Sequence, residues 1–135
     1  VRVRTTVVAR KPRHHVALIS PIPAGFELLN PEFSTTEQLP DESSRGYGQD
    51  IWAVDGHQGP RFFFDFWWRR WFDHQVLRDD RAEAFAASLW PGVHEHVVFA
   101  RATMPGQFLA PSARAEEMYE PEVWGRSAAA RVMVL

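Results

Sequence analysis

Prolines and glycines punctuate a series of short strand-like segments, and this spacing constrains the fold more than any other feature of the sequence. Ten prolines and eight glycines lie among 135 residues. Residues 1–10, VRVRTTVVAR, alternate side chains with the period of two that is typical of a half-buried strand. Residues 15–20, HVALIS, also have strand character. The PIPAG segment at 21–25 then excludes a helix or a central strand.

Further short segments of the same kind follow along the chain. Residues 82–89, AEAFAASL, are ambiguous, because Asp80 and Glu83 would form a capping box for a helix, whereas the segment is short and lies between strands. The other strand patterns lie at 50–54, 61–77, 93–102, 107–110 and 128–135, with a polar loop at 34–50. Residues 26–29 are expected to form either a short strand or a turn. Roughly seven to nine short strands and at most one short helix predict an all-β fold, an antiparallel β-sandwich.

Charge and cysteine content exclude several classes of function. The net charge is −2, which gives no electrostatic footprint for nucleic acid. The chain contains no cysteine, so it forms neither a disulfide nor a thiolate nucleophile. No apolar run approaches the roughly 18 residues of a spanning helix, so we expect no direct membrane insertion. Strand-like patterns reach both ends of the sequence, and we therefore expect a single domain, residues 1–135, cut from a longer protein.

The segment RFFFDFWWRRWFDHQVL at 61–77 is dense in aromatic side chains. Its even positions are almost wholly apolar, so we predict that this face lies in the core. Its odd positions carry Phe63, Trp67 and Trp71 among charged residues, and a solvated sheet face seldom carries three large aromatic side chains. Either a second layer of the protein covers the odd face, or a partner does. Phe63, Trp67 and Trp71 are therefore candidates for contact with another domain.

No set of side chains has the spacing of an active site. His94 and His96 lie two residues apart on one strand face and would need a third ligand to bind zinc, whereas a histidine pair without metal is much commoner there. The adjacent acids at 79–80 and 116–117 read as solvated charges rather than as carboxylates facing each other across a cleft. No nucleophile elbow or phosphate loop occurs. We therefore predict that this domain is not an enzyme and holds no metal or cofactor.

The stretch AEEMYEPEVWGRS at 115–127 combines acidic residues with large apolar ones. Pro121 and Gly125 argue against a regular element, so we predict an irregular acidic loop across 112–127. Such a loop is an unusual place for exposed apolar side chains.

Two interpretations explain the apolar residues of this stretch. In the first, the chain folds back and buries Trp124 in its own sandwich. In the second, the loop presents Met118 and Tyr119 to another domain. Methionine adapts to an irregular pocket, and tyrosine contributes contact area together with a hydroxyl group.

Several segments resemble the C-terminal macroglobulin domain of bacterial alpha-2-macroglobulins. They are PIPAGFELLNP at 21–31, RDDR at 78–81 and VFARATMPGQFLAPSARAEEMYEPEVWGRS at 98–127. The family's final pattern, Ala-Glu-x-Met-Tyr-x-Pro-x-x-x-Gly-Arg-Ser, is filled without a gap by Ala115, Glu116, Met118, Tyr119, Pro121, Gly125, Arg126 and Ser127. The resemblance covers essentially the whole chain and is weakest at 32–60.

The resemblance implies a macroglobulin-like β-sandwich from the C-terminal end of a larger, non-catalytic protein. Bacterial alpha-2-macroglobulins are broad protease-trapping inhibitors of the periplasm or cell envelope, often lipid-anchored, and serve in bacterial defence. The implied partners are other domains of the same chain, namely the thioester domain and neighbouring macroglobulin domains, and target proteases through the full-length protein. By the same resemblance, the loop with Met118, Tyr119 and Pro121 shields the thioester until a bait region is cut. Trp124 and Arg126 are further candidates for contact between domains.

An alternative function of a different class is a carbohydrate- or peptide-binding sandwich module. Trp67, Trp71 and Trp90 would then form a stacking platform for sugar rings. Such a platform requires coplanar, exposed rings on one open face of the molecule.

Overall fold

A computed structural model describes residues 1–30 and 70–135, and these form ten β-strands without a helix among them. The strands are β1 (Arg2–Ala9), β2 (Arg13–Pro21), β3 (Phe26–Leu28), β4 (His74–Leu77), β5 (Arg81–Leu89), β6 (Gly92–Ala102), β7 (Gly106–Ala110), β8 (Arg114–Glu117), β9 (Glu120–Arg126) and β10 (Ala130–Val134). All ten strands belong to one compact unit, Val1–Asn30 with Trp71–Leu135. No helix in the described part of the chain is long and apolar enough to cross a membrane.

The strands form three antiparallel sheets, which confirms the predicted all-β sandwich class. The largest sheet has the order β4-β5-β2-β8-β9, a second has the order β1-β6-β3, and a two-stranded sheet pairs β10 with β7. The alternation predicted for residues 1–10 is present, because Val3, Thr5, Val7 and Ala9 are the less exposed residues of β1. The period-two pattern therefore correctly located the buried face of the first strand.

Within the described residues, two clusters of apolar side chains fill the interior of the unit. The larger cluster joins β3, β5 and β6 to the segment after β2, through Ile22, Phe26, Ala82, Val98 and Ala100. The smaller cluster consists of Ala9, Val16 and Leu89, with Val7 and Trp71 packed against it. Each cluster draws its residues from different sheets, so the two faces that meet in the interior are held together by apolar burial.

Residues 82–89, which were ambiguous in the sequence, belong to a central strand rather than a helix. β5 pairs with β4 on one side and with β2 on the other, and Ala82, Ala84 and Ala86 are fully or almost fully buried. Glu83 does not cap a helix. It accepts hydrogen bonds from the Nε atoms of Arg81, at 2.6 Å, and Arg78, at 3.1 Å. The hydrogen bond from Arg81 is the main cause that holds the pKa of Glu83 below its usual range.

The core face predicted for the end of the 61–77 segment is wrong. Gln75 hydrogen-bonds to the buried His96, Leu77 packs against the larger cluster, and Trp71 packs against the smaller one. His74, assigned to the core face by its even position, is exposed. The larger number of aromatic residues at even positions misled the assignment, since the contacts of β4 with the interior are made by Gln75 and Leu77. Phe63 and Trp67, like the predicted strand at 50–54 and loop at 34–50, lie outside the described residues.

Gly25 is required by a close approach of an aromatic ring. A Cβ atom placed on Gly25 would lie within 2.3–2.6 Å of ring atoms of Phe108. The Phe108 ring in turn packs edge to face against Phe26, with ring centres 6.1 Å apart. The carbonyl of Gly25 accepts hydrogen bonds from both the amide and the hydroxyl of Thr103, at 2.9 and 3.1 Å. Neither the ring nor the glycine backbone can therefore move away freely.

Replacement of Gly25 by alanine is expected to lower the free energy of unfolding by about 1–3 kcal/mol, because the added methyl group overpacks this contact. Gly125 offers a matched control, since a Cβ atom there meets nothing within 4 Å. Urea unfolding of both variants checks the expectation. Equal stabilities of Gly25→Ala and Gly125→Ala would contradict it.

Candidate functional site

The predicted irregular loop at 112–127 is instead a β-hairpin at the edge of the largest sheet. β8 pairs with β2 and with β9, and Met118 and Tyr119 form the turn between β8 and β9. The prediction was wrong because it took Pro121 to exclude a strand.

Pro121 is compatible with this hairpin for two reasons. Among the strands of residues 1–30 and 70–135, β9 is the outermost of its sheet, and a missing N–H group at a sheet edge costs little. In addition, the register pairs Glu116 with Trp124 but Glu117 with Glu120, so that residues 121–123 lie in an irregular, bulged stretch without ladder partners. Both features also discourage pairing of this edge with another strand.

The three large apolar side chains of the hairpin are exposed. Tyr119 is 77% exposed, Trp124 53% and Met118 43%. The interpretation that buries Trp124 in its own sandwich is therefore wrong, and the second interpretation, a presented tip, agrees with the geometry. Exposed apolar side chains grouped on one element are typical of a contact surface.

Strand β2 holds the tip of the hairpin through His15. The backbone amide of Met118 donates a hydrogen bond to the carbonyl of His15 at 2.8 Å. The ring of Tyr119 meets the imidazole of His15 edge to face, with ring centres 5.0 Å apart. Below the tip, Glu117 forms an ion pair with Arg13 at 3.6 Å. No motif around His15 indicates this role, although histidine tolerates unusual backbone angles better than most residues.

Trp124 is supported by a basic side chain on the neighbouring strand. The guanidinium of Arg114 lies 5.1 Å from the centre of the Trp124 ring, and Arg114 also binds Glu116 at 2.7 Å. Arg126 is the cross-strand neighbour of Arg114. At the base of the hairpin, the amide and the hydroxyl of Ser127 bind the carbonyl and the amide of Ala113, each at 2.9 Å. The hairpin is thus stabilised by hydrogen bonds at its base, by the contact of Arg114 with Trp124 along its face, and by the contacts of His15 at its tip.

Trp71 is turned towards the interior of the sandwich. Its indole Nε1 donates a hydrogen bond to the carbonyl of Glu95 at 3.0 Å, and the ring packs against the smaller core cluster. Trp90 lies outside the strands, directly after β5, and is 75% exposed. These two rings therefore do not form one open platform for a sugar. Contact of Trp71 with another domain stays a prediction, as it does for Phe63 and Trp67.

His94 and His96 do not converge on a common ligand. Nε2 of His94 is 2.7 Å from the carbonyl of Trp90, whereas Nε2 of His96 is 3.0 Å from Oε1 of Gln75. His96 is only 1% exposed, and this burial lowers its pKa to about 4, so its ring is neutral at pH 7. In residues 1–30 and 70–135 no group of three or more potential metal ligands is found. Each of the two histidines forms a hydrogen bond to another residue of the domain.

Comparisons with known proteins agree with this geometry. The family described as "Bacterial Alpha-2-macroglobulin MG10 domain" matches residues 1–122. The alpha-2-macroglobulin homolog of Nostoc sp. is 27% identical over 128 residues, which is 95% of this chain. A structure of Escherichia coli alpha-2-macroglobulin activated by porcine elastase aligns with 98% of this chain at a TM-score of 0.72 and 22% identity.

The chain is short beside all of these proteins. It spans 6% of the Nostoc homolog and 10% of the Escherichia coli chain. A local match to the circularly permutated Ras protein 2 of Dictyostelium discoideum is 38% identical, but it is confined to 63 residues, 47% of this chain and 2% of that protein. The matches to the alpha-2-macroglobulins of Nostoc sp. and Escherichia coli, by contrast, extend over nearly the whole chain.

Proposed function

Since this chain belongs to the family of bacterial alpha-2-macroglobulin MG10 domains, we propose that it is a non-catalytic domain of a protease-trapping inhibitor and shields a thioester in another domain. The observation that carries the proposal is the exposed tip formed by Met118 and Tyr119. This tip is rigidly tied to β2 through His15, so it is suited to fill a pocket on a partner surface.

The chemistry of a thioester explains why such a tip is needed. A thioester is lost when water reaches its carbonyl carbon, and bulky apolar side chains packed over the bond exclude water. Burial of the surface that Met118 and Tyr119 still expose would contribute on the order of 2–4 kcal/mol in total. The sum holds a lid closed in nearly all molecules, yet it remains small enough for a rearrangement after bait cleavage to release it.

The flanking acidic residues fit a contact that must also come apart. Glu116 and Glu117 are paired with Arg114 and Arg13, whereas Glu120 and Glu122 are exposed beside the tip. Exposed carboxylates keep the hairpin hydrated once it is released. On the adjacent face, we propose that Trp124 and Arg126 contact neighbouring macroglobulin domains, with the ring of Trp124 supported by Arg114.

The remaining elements of the proposal concern the full-length protein. Its partners are the thioester domain, neighbouring macroglobulin domains and the target proteases, and it acts in the periplasm or cell envelope, held there by a lipid anchor. The domain itself lies at the C-terminal end of that protein. Family membership supports these statements, and the hydrogen-bonded, unconverged histidines support a non-catalytic role.

The first experiment treats the full-length protein with methylamine and titrates the thiol that appears. Opening of one thioester by the amine releases one thiol per molecule. Because residues 1–135 contain no cysteine, this thiol cannot come from the MG10 domain itself. Absence of an amine-released thiol would refute the shielding role.

A further inference from the structure

We propose that His15 is a positioning residue that fixes the hairpin tip before the tip meets its partner. The inference rests on the proposed shielding role and adds to it the element that sets the position of Met118 and Tyr119. Three observations carry it: the backbone conformation of His15, its hydrogen bond and its ring contact.

The backbone of His15 is in the left-handed region, with φ of 51°. Among residues 1–30 and 70–135 it is the only residue other than glycine with a positive φ. The strand is regular on either side, because His14 pairs with Ser88, and Val16 pairs with both Ala86 and Glu117. A conformation that is unfavourable for an L-residue persists only where the surroundings enforce it, and it often marks a functional position.

This conformation occurs at the point where the β2–β8 ladder ends. The last ladder pair is Val16 with Glu117. One residue further on, the amide of Met118 donates a hydrogen bond of 2.8 Å to the carbonyl of His15, which adds one more backbone contact between β2 and the tip. Its imidazole then meets the ring of Tyr119 at 5.0 Å and an interplanar angle of 87°. His15 thus contacts both residues of the tip, Met118 through a backbone hydrogen bond and Tyr119 through the imidazole ring of His15.

The consequence is a tip that is ordered in the free domain. A side chain that is already held in its bound conformation loses less conformational entropy when it docks. A lid built in this way closes more completely than a flexible loop carrying the same two residues. The exposure of Tyr119 beyond the His15 contact leaves most of its surface available to the partner.

The test compares His15→Val with His14→Val in the full-length protein. Valine is disfavoured at positive φ but suits the extended, exposed position of His14. Hydrogen exchange is measured in peptides covering 114–120 and, as a reference, 81–89. We expect His15→Val to accelerate exchange at the tip by on the order of tenfold, the size of the left-handed penalty. His14→Val is expected to leave the exchange rate unchanged within about twofold.

A third variant separates positioning from general damage. Asparagine tolerates the left-handed region, so His15→Asn is expected to restore protection of the Met118 amide while removing the ring contact. If His15→Val unfolds the domain, hydrogen exchange rises equally in the reference peptide 81–89. The positioning role of His15 is then tested by the rate at which methylamine releases thiol from His15→Asn. We expect that rate to rise several-fold, because Tyr119 has lost its support.

The outcomes distinguish this inference from the shielding role. Tip exchange in a folded His15→Val variant that equals that of His14→Val overturns the role of His15. Faster tip exchange in His15→Val with unchanged thiol release supports His15 as the positioning residue and overturns the shield. Suppose that His15→Asn releases thiol at the unchanged rate. If Met118→Ala/Tyr119→Ala releases thiol faster, the result overturns the role of the ring contact between His15 and Tyr119. If Met118→Ala/Tyr119→Ala also releases thiol at the unchanged rate, the result overturns the shielding role.

Discussion

Replacement of both Met118 and Tyr119 by alanine in the full-length protein is expected to accelerate loss of the thioester by on the order of a hundredfold. Burial of the surface that the two side chains still expose contributes roughly 2–4 kcal/mol to closure of the lid. Removal of most of this energy raises the fraction of open molecules, and each 1.4 kcal/mol corresponds to a factor of ten. Free thiol is measured against time, both in buffer alone and with methylamine.

The same substitutions are expected to leave the fold intact. Both side chains lie at the surface, so the free energy of unfolding should fall by no more than about 1.5 kcal/mol, mainly through loss of the contact between Tyr119 and His15. The control variant is Leu109→Ala/Met133→Ala, which removes two exposed apolar side chains from β7 and β10, away from the hairpin. Equal thiol release from the tip variant, the control variant and the unchanged protein would rule out the shield.

The second large effect concerns the dependence of stability on pH. The pKa of His96 is lowered by burial to about 4, against an ordinary value of 6.5 in the unfolded chain. Between these values the unfolded chain binds more protons than the folded one. The contribution of His96 is therefore complete above about pH 6.5 and is lost as pH falls towards 4. The loss amounts to about 2 kcal/mol at pH 5 and about 3 kcal/mol below pH 4.

Urea unfolding of residues 1–135 at pH 7 and pH 5 measures this effect. His96→Gln cannot titrate, so the difference in stability between the two pH values should shrink by about 2 kcal/mol relative to the unchanged chain. His74→Gln is the control, because His74 is exposed in β4. Carboxyl groups such as Glu83 titrate in all three proteins, and their contribution cancels in the comparison. An unchanged difference in His96→Gln would show that burial does not disfavour the charged ring.

The environment of His96 explains why its charge is excluded. His96 lies on β6, and the centre of its ring is 5.3 Å from that of Phe72 and 6.5 Å from that of Trp71. Gln75 forms a hydrogen bond with Nε2 of His96. Among residues 1–30 and 70–135, Nδ1 has no hydrogen-bond partner. A proton added at this nitrogen would bring an unpaired charge into an apolar environment.

Local pattern predicted the parts of the molecule that depend on local preference. The alternation at 1–10 gave the inward face of β1, and the presence of Pro and Gly between short segments gave the all-β class. The same reasoning left 82–89 undecided between helix and strand, because of its alanine content, and was wrong at 112–127, where Pro121 suggested an irregular loop. In both places pairing with neighbouring strands outweighed the preference of individual residues.

Residue identity and order are enough to predict the family and the apolar character of Met118 and Tyr119. Only the folded chain shows that these two residues form the tip of a hairpin, that Trp71 packs against the interior, and that His15 supports the tip from another strand. The cause is sequence separation, because His15 and Met118 lie about a hundred residues apart and no local periodicity encodes a contact made across two paired strands.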